Sequence, residues 1–96
     1  EAMRVLSLAY KKRCQWKRSA FLWEDMISWD GRRSSFPYVE LAKYYEHRVK
    51  DYSKALEMVR RAFEMLDYLS FSEREALLHR QRRLIGKEKR ARGNTV

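Results

Sequence analysis

Cys14, His47 and His79 are the side chains that could serve as nucleophile, base or metal ligand, and their spacing arms none of them. The two histidines lie far apart, and neither belongs to a His-Glu-x-x-His or Cys-x-x-Cys pattern that would hold a metal on one helix face. Cys14 has Lys12, Arg13 and Lys17 nearby but no base beside it, so it is expected in a turn, packed between helices. The three glycines are isolated and form no phosphate-cradling loop. No catalytic residue, metal site or cofactor is expected, and the chain reads as not an enzyme.

What remains is charge and aromatic surface. The net charge of +9 is unevenly spread. Residues 1–35 carry eight Lys and Arg against four Asp and Glu, residues 36–70 six of each, and residues 71–96 eight against three. Basic ends around a neutral centre either solvate helix surfaces or attract phosphate. Trp16, Trp23 and Trp29, with Tyr38, Tyr44 and Tyr68, are candidate platforms for unpaired bases. Trp16 and Trp23 fall on a periodic apolar face, whereas Trp29 and Tyr38 flank the Arg32-Arg33 loop and are expected to be exposed.

Apolar periodicity predicts the elements that position these groups. Val5, Leu6, Leu8, Ala9 and Tyr10 mark a first helix over 2–13, with Lys11, Lys12 and Arg13 at its negative end. Trp16, Ala20, Trp23 and Ile27 mark a second, closed by a loop from Ser28 to Ser35. Pro37 suits the first turn of a third helix, which runs to about Arg48. Ala55, Leu56, Val59, Ala62, Phe63 and Leu66 stripe a fourth, which starts at Tyr52. Ser72 and Glu75 form a Ser-x-x-Glu box for a fifth, whose thin seam of Leu77, Leu78, Leu84 and Ile85 is surrounded by Arg and Lys. Past Gly86 the seam stops, so fraying is expected there, with 93–96 as a flexible basic tail.

The two helix pairs, about 2–28 and 37–67, repeat. Leu6, Tyr10, Trp16, Ser19 and Met26 align on Leu41, Tyr45, Tyr52, Ala55 and Ala62, with one extra residue in the second turn. In the second copy, Leu41-Ala42, Tyr45, Asp51-Tyr52, Ala55 and Ala62-Phe63 resemble the leucine-small, tyrosine, turn-aromatic and alanine series of tetratricopeptide repeats. The first copy is degenerate, with Ser7 and Ser19 at small positions, and the longer second turn leans toward Sel1-like variants. The resemblance implies an all-α fold. Two antiparallel hairpins within residues 1–70 would stack as a short right-handed solenoid, with 71–92 as a basic capping helix.

A second resemblance is carried by Leu6-Ser7-Leu8-Ala9-Tyr10-Lys11-Lys12-Arg13, Leu22-Trp23-Glu24-Asp25-Met26-Ile27 and Tyr38-Val39-Glu40-Leu41-Ala42-Lys43-Tyr44-Tyr45-Glu46-His47-Arg48. These resemble the C-terminal helical region of bacterial ribonuclease H-like exonuclease proteins of the YprB type. It implies a fragment of a larger bacterial protein whose nuclease residues lie upstream, and the start without Met in mid-helix pattern agrees.

By the repeat resemblance, the first helices of the hairpins line a basic groove of Arg4, Leu8, Lys11, Lys12, Val39, Lys43, Glu46 and His47. The partner expected there is an acidic protein segment or another part of the parent chain. The asparagines of the family's carboxylate clamp are missing. The alternative is a nucleic-acid accessory surface using Arg32, Arg33, Arg80, Arg82, Arg83 and Lys87, in which charge reversal at Arg82 and Arg83 should spare folding. No membrane partner is expected, a dimer is compatible with only two hairpins, and a single cysteine suits a reducing cytoplasmic setting.

Overall fold

The computed structural model describes residues 2–93. Every regular element in that range is helical, so the chain is all-α. α1 spans Ala2–Lys12, α2 Trp16–Asp30, α3 Phe36–Tyr44, α4 Tyr52–Met65 and α5 Phe71–Gly93; α3 runs on into a π-helical turn, Tyr45–Val49. The helices pack in chain order, α1 on α2, α2 on α3, α3 on α4 and α4 on α5. Two antiparallel hairpins therefore stack side by side with α5 laid against the second, in a body of 45 × 31 × 20 Å. Among the described residues no helix is long and apolar enough to cross a membrane.

Local chemistry explains each boundary. α1 ends where Cys14 takes a left-handed conformation (φ 60°) and the Gln15 N–H donates to the Tyr10 carbonyl at 2.8 Å, satisfying carbonyls that the last turn leaves open. That conformation carries the Cys14 side chain outward, so it is exposed rather than packed between helices. α2 continues through Ser28 to Asp30, and the loop is correspondingly shorter. Pro37 lies in the first turn of α3, as its fixed φ and missing N–H favour. Asp51 caps α4 by accepting from the Lys54 N–H at 3.0 Å.

The capping box of α5 is formed by Ser70 and Glu73, not by Ser72 and Glu75. Each side chain accepts the other's backbone N–H at 3.1 Å. Two Ser-x-x-Glu patterns overlap here, and only the earlier one puts its glutamate within reach of a second helix start, where Ser35 Oγ donates to Glu73 Oε2 at 2.6 Å. These bonds hold Glu73 below the usual carboxylate range, the Ser35 hydroxyl first among them. α5 also stays helical past Gly86, with Lys87 reaching back to the core and Arg92 paired to Glu88 at 3.0 Å. Residues 94–96 of the expected tail lie outside the described residues.

The core is Trp23, Tyr38, Leu41, Ala42, Ala55, Met58, Val59, Ala62, Leu77 and Leu84. Small residues let helix pairs approach: Ala42 and Ala55 in the second hairpin, and the aligned Ser7 and Ser19 in the first, are all fully buried. The serines keep their hydroxyls paired at that crossing. Ser19 Oγ donates to the Ser7 carbonyl at 2.8 Å, Ser7 Oγ to the Arg4 carbonyl at 2.8 Å, and Trp23 Nε1 to Ser7 Oγ at 3.0 Å. Burial of the repeats differs where neighbours differ. Leu41 is 0% exposed between α2 and α4, while the aligned Leu6 is 44% exposed on α1, which has a helix on one side.

Tyr38, expected at the surface, is buried, and its hydroxyl donates to the Gly31 carbonyl at 2.5 Å. Burial raises its pKa, although the Arg61 charge opposes this. A Cβ on Gly31 would lie 2.7 Å from that hydroxyl and 2.8 Å from the Ile27 carbonyl oxygen, which is backbone and cannot yield cheaply. Gly31→Ala is therefore expected to destabilise by about 1–3 kcal/mol, the range for overpacking, read as a lower denaturant midpoint at unchanged slope.

Candidate ligand site at the basic end of the hairpins

The α1–α2 turn, the α3–α4 turn and the last turns of α5 share one end of the molecule. Cys14 to Arg18 face Tyr44, Arg48 and Val49 across one recess, and Val49 to Ser53 face Glu88, Ala91 and Arg92 across another. Beside them, on the side of α1 and α3, a recess of about 200 Å³ is lined by Lys11, Trp16, Trp23, Glu40, Lys43, Tyr44, His47 and Arg48. Trp23, 1% exposed, forms its inner wall. The Arg48 guanidinium lies over the Trp16 ring, 4.0 Å from its centroid, a favourable cation–π geometry.

Glu40 is the one carboxylate in that lining, and it is already gripped. Lys11 Nζ lies 2.6 Å from Oε1 and Lys43 Nζ 3.2 Å from Oε2. Burial pushes its pKa up, but the hydrogen bond from Lys11 and the Lys43 charge outweigh this and hold it below the usual carboxylate range. Glu40 is therefore ionised at neutral pH. With Lys11, Lys43 and Arg48 against Glu40, and His47 neutral, the lining carries an excess of two positive charges. Burial lowers the His47 pKa, and Lys87, Arg83 and Arg80 lower it further against the pull of Glu46, so His47 is neutral at pH 7.

Of the eight groove residues read from the sequence, the structure brings Lys11, Lys43 and His47 together in the recess. Lys12 is exposed at its edge of the turn. Arg4 stacks over the Phe36 ring at 4.4 Å, and Leu8 is exposed on α1. Val39 is partly buried against the core. Glu46 is not a groove residue at all: its side chain is fully buried on the α5 side.

There Arg80 Nη1 lies 3.3 Å from Glu46 Oε1, Lys87 Nζ 2.6 Å from Oε2, and Arg83 grips both oxygens. Burial alone would raise the Glu46 pKa, but the hydrogen bonds from Arg83 and Lys87 and the charge of Arg83 bring it down to about 2. Arg80, Arg83 and Lys87 are thus structural ligands of a buried carboxylate rather than free surface cations, and reversal of Arg83 is expected to destabilise the fold rather than spare it. α5 covers Glu46 but contributes nothing to the lining of the recess.

The Arg32-Arg33 loop lies at the opposite end, where the Asp67 N–H donates to the Arg32 carbonyl at 3.0 Å. Both arginines face carboxylates, Arg32 with Asp67 at 3.4 Å and Arg33 with Asp30 at 3.0 Å. Trp29, Tyr68 and Phe71 are strongly exposed at that end. Of the six residues read as nucleic-acid contacts, Arg82 alone is exposed with no carboxylate beside it among the described residues. Trp16 and Tyr44, read from the sequence as possible platforms for bases, are half-buried in the recess walls, whereas Arg48, Lys17 and Arg18 were not read as site residues. Trp16 and Arg48 carried a usable signal, since each flanks the turn that follows a first helix.

No family model matches the chain, so the tetratricopeptide resemblance rests on the internal repeat and the helical-hairpin architecture. No solved structure matches it either. Among curated proteins it is similar to the uncharacterized protein YprB of Bacillus subtilis (strain 168), with 36% identity over 80 residues, 82% of this chain. The chain spans 19% of the length of that relative, so the likeness is to one segment of a longer protein.

Proposed function

We propose that the chain is a non-catalytic helical-hairpin interaction module whose basic turn end holds an acidic protein segment. The supporting observation is the distribution of committed and uncommitted charge. Arg80, Arg83, Lys87 and Arg92 of α5 and both arginines of the far loop face carboxylates of the same chain, while Arg74, Arg82, Lys89 and Arg90 lie along α5 away from the recess. At the turn end Lys12, Arg13, Lys17 and Lys50 face none among the described residues; Lys17 lines the recess that shares Trp16, Tyr44 and Arg48 with the aromatic-walled one, which has its own positive excess. Charge-assisted hydrogen bonds from Lys and Arg to carboxylates suit that arrangement. In a protein as long as the Bacillus relative the module would work beside other domains, in a reducing cytoplasmic setting.

A second reading is favoured by the same run of unpaired cations: a phosphate backbone tracked across the turn end, accessory to a ribonuclease H-like exonuclease. The readings part on salt. Phosphate contacts release condensed counterions and weaken steeply with salt, whereas a peptide held partly by apolar contact weakens less. The test is titration of a labelled Asp/Glu-rich peptide and a single-stranded oligonucleotide at low and moderate salt, with the Lys12→Glu, Arg48→Glu double variant alongside. The acidic peptide is expected to bind and the double variant to lose about tenfold or more, since each exposed charge is reversed rather than deleted. Oligonucleotide binding with a steep salt slope and no peptide binding would replace the leading reading with the second.

A further inference from the structure

The geometry points to the recess between α1 and α3 as a pocket for one aromatic side chain of that acidic segment, with Trp16, Trp23 and Tyr44 as its walls and Lys43 and Arg48 engaging the flanking carboxylates. This rests on the acidic-segment reading and sharpens it from a charged surface to a residue pattern, an aromatic ring between acidic residues. The recess holds about 200 Å³, and a cavity of about 150 Å³ already admits a benzene ring. Trp23 forms its inner wall, and Tyr44 and Trp16 line it, so an incoming ring meets aromatic side chains, a favourable pairing in offset or edge-to-face geometry.

Charge complementarity selects the flanks. Glu40 would repel an acidic visitor, but Lys11 and Lys43 hold it on both oxygens, and at the rim the Lys43 side chain remains 42% exposed and Arg48 is exposed as well. Arg48 belongs to this recess and also to the adjoining one with Lys17 and Arg18, so a chain leaving the pocket passes directly onto further cations. Acidic residues on either side of the ring would thus each meet a positive group.

The test uses the intact chain and three short labelled peptides read by anisotropy: an Asp/Glu-rich peptide with a central Phe, the same peptide with Ala in its place, and the Phe peptide with Asn and Gln replacing its acids. The Phe-containing acidic peptide is expected to bind about tenfold tighter than its Ala counterpart, because burying a phenyl ring is worth at least one decade of affinity. The neutral peptide is expected to bind more weakly than the acidic Phe peptide. Equal binding of the two acidic peptides would overturn the ring pocket while leaving the acidic-segment reading intact. Binding by neither would overturn both. A single-stranded oligonucleotide that displaces the Phe peptide at lower concentration than unlabelled Phe peptide does would overturn the peptide occupant in favour of a nucleobase.

Discussion

Replacing Glu46 with Gln is expected to destabilise the protein by about 3 kcal/mol, a fall in melting temperature on the order of 15 °C for a domain of this size. Gln keeps the shape but removes the charge that neutralises Arg80, Arg83 and Lys87. Those three are partly exposed and can turn toward water, which places the loss at the low end of the range for breaking a buried pair. The titration agrees. A carboxylate whose pKa falls from 4.5 unfolded to about 2 folded stabilises by about 3 kcal/mol once pH exceeds the unfolded value. That contribution is lost as pH drops from about 5 through about 2, because the unfolded chain then binds the proton more readily. The gap between wild type and Glu46→Gln should therefore be full at neutral pH and close progressively in acid. Denaturant melts across that range measure it, and a gap independent of pH would mean that the carboxylate charge is not what holds α5.

Trp23→Ala should cost about 3–5 kcal/mol, the range for deleting a large buried aromatic without collapse of the cavity. Trp23 packs where α2 meets both α1 and α3, and its ring closes the inner end of the recess, so its loss opens the core to the site. The Ser7 hydroxyl also loses its indole donor. Trp23→Phe separates the two effects, since it restores most of the volume but not the N–H. It is expected to recover more than half of the loss, as read by thermal melts. Recovery of almost none would shift the weight from packing to the hydrogen bond.

The helices were legible because apolar spacing and breakers agree locally. Pro37, the Asp30-Gly31 pair and the Val49–Asp51 turn each mark a boundary to within a few residues. Glu46 was not legible for a definite reason. It lies four residues after Ala42, on the buried face, and three after Lys43, on the recess face, and the repeat resemblance assigned it to the recess side. The π-helical turn that begins at Tyr45 changes the register just there, and nothing in residue type announces it. Its partners did leave a trace: Arg80, Arg83 and Lys87 share a helix face with Leu77 and Leu84, a pattern more consistent with a buried charge cluster than with a solvated surface. The recess was half legible. Lys11, Lys43 and His47 come from the aligned first helices, but Trp16 enters it from the first turn of α2 and Arg48 from the π-helical turn, where the spacing of a regular helix does not fix direction.

Lys11 and Glu46 occupy the same place in the two repeats, one residue after the aligned Tyr10 and Tyr45, and they carry opposite charge. Each reaches across to the element that follows its own hairpin, Lys11 to Glu40 on α3 and Glu46 to Arg80, Arg83 and Lys87 on α5. Were α5 to collapse onto the first hairpin during folding, Lys11 would meet three cations at short range, and the docking would be repelled. One residue position thus joins each hairpin to the element that follows it. The sign of its charge matches that element, so two hairpins alike in path differ in what they hold.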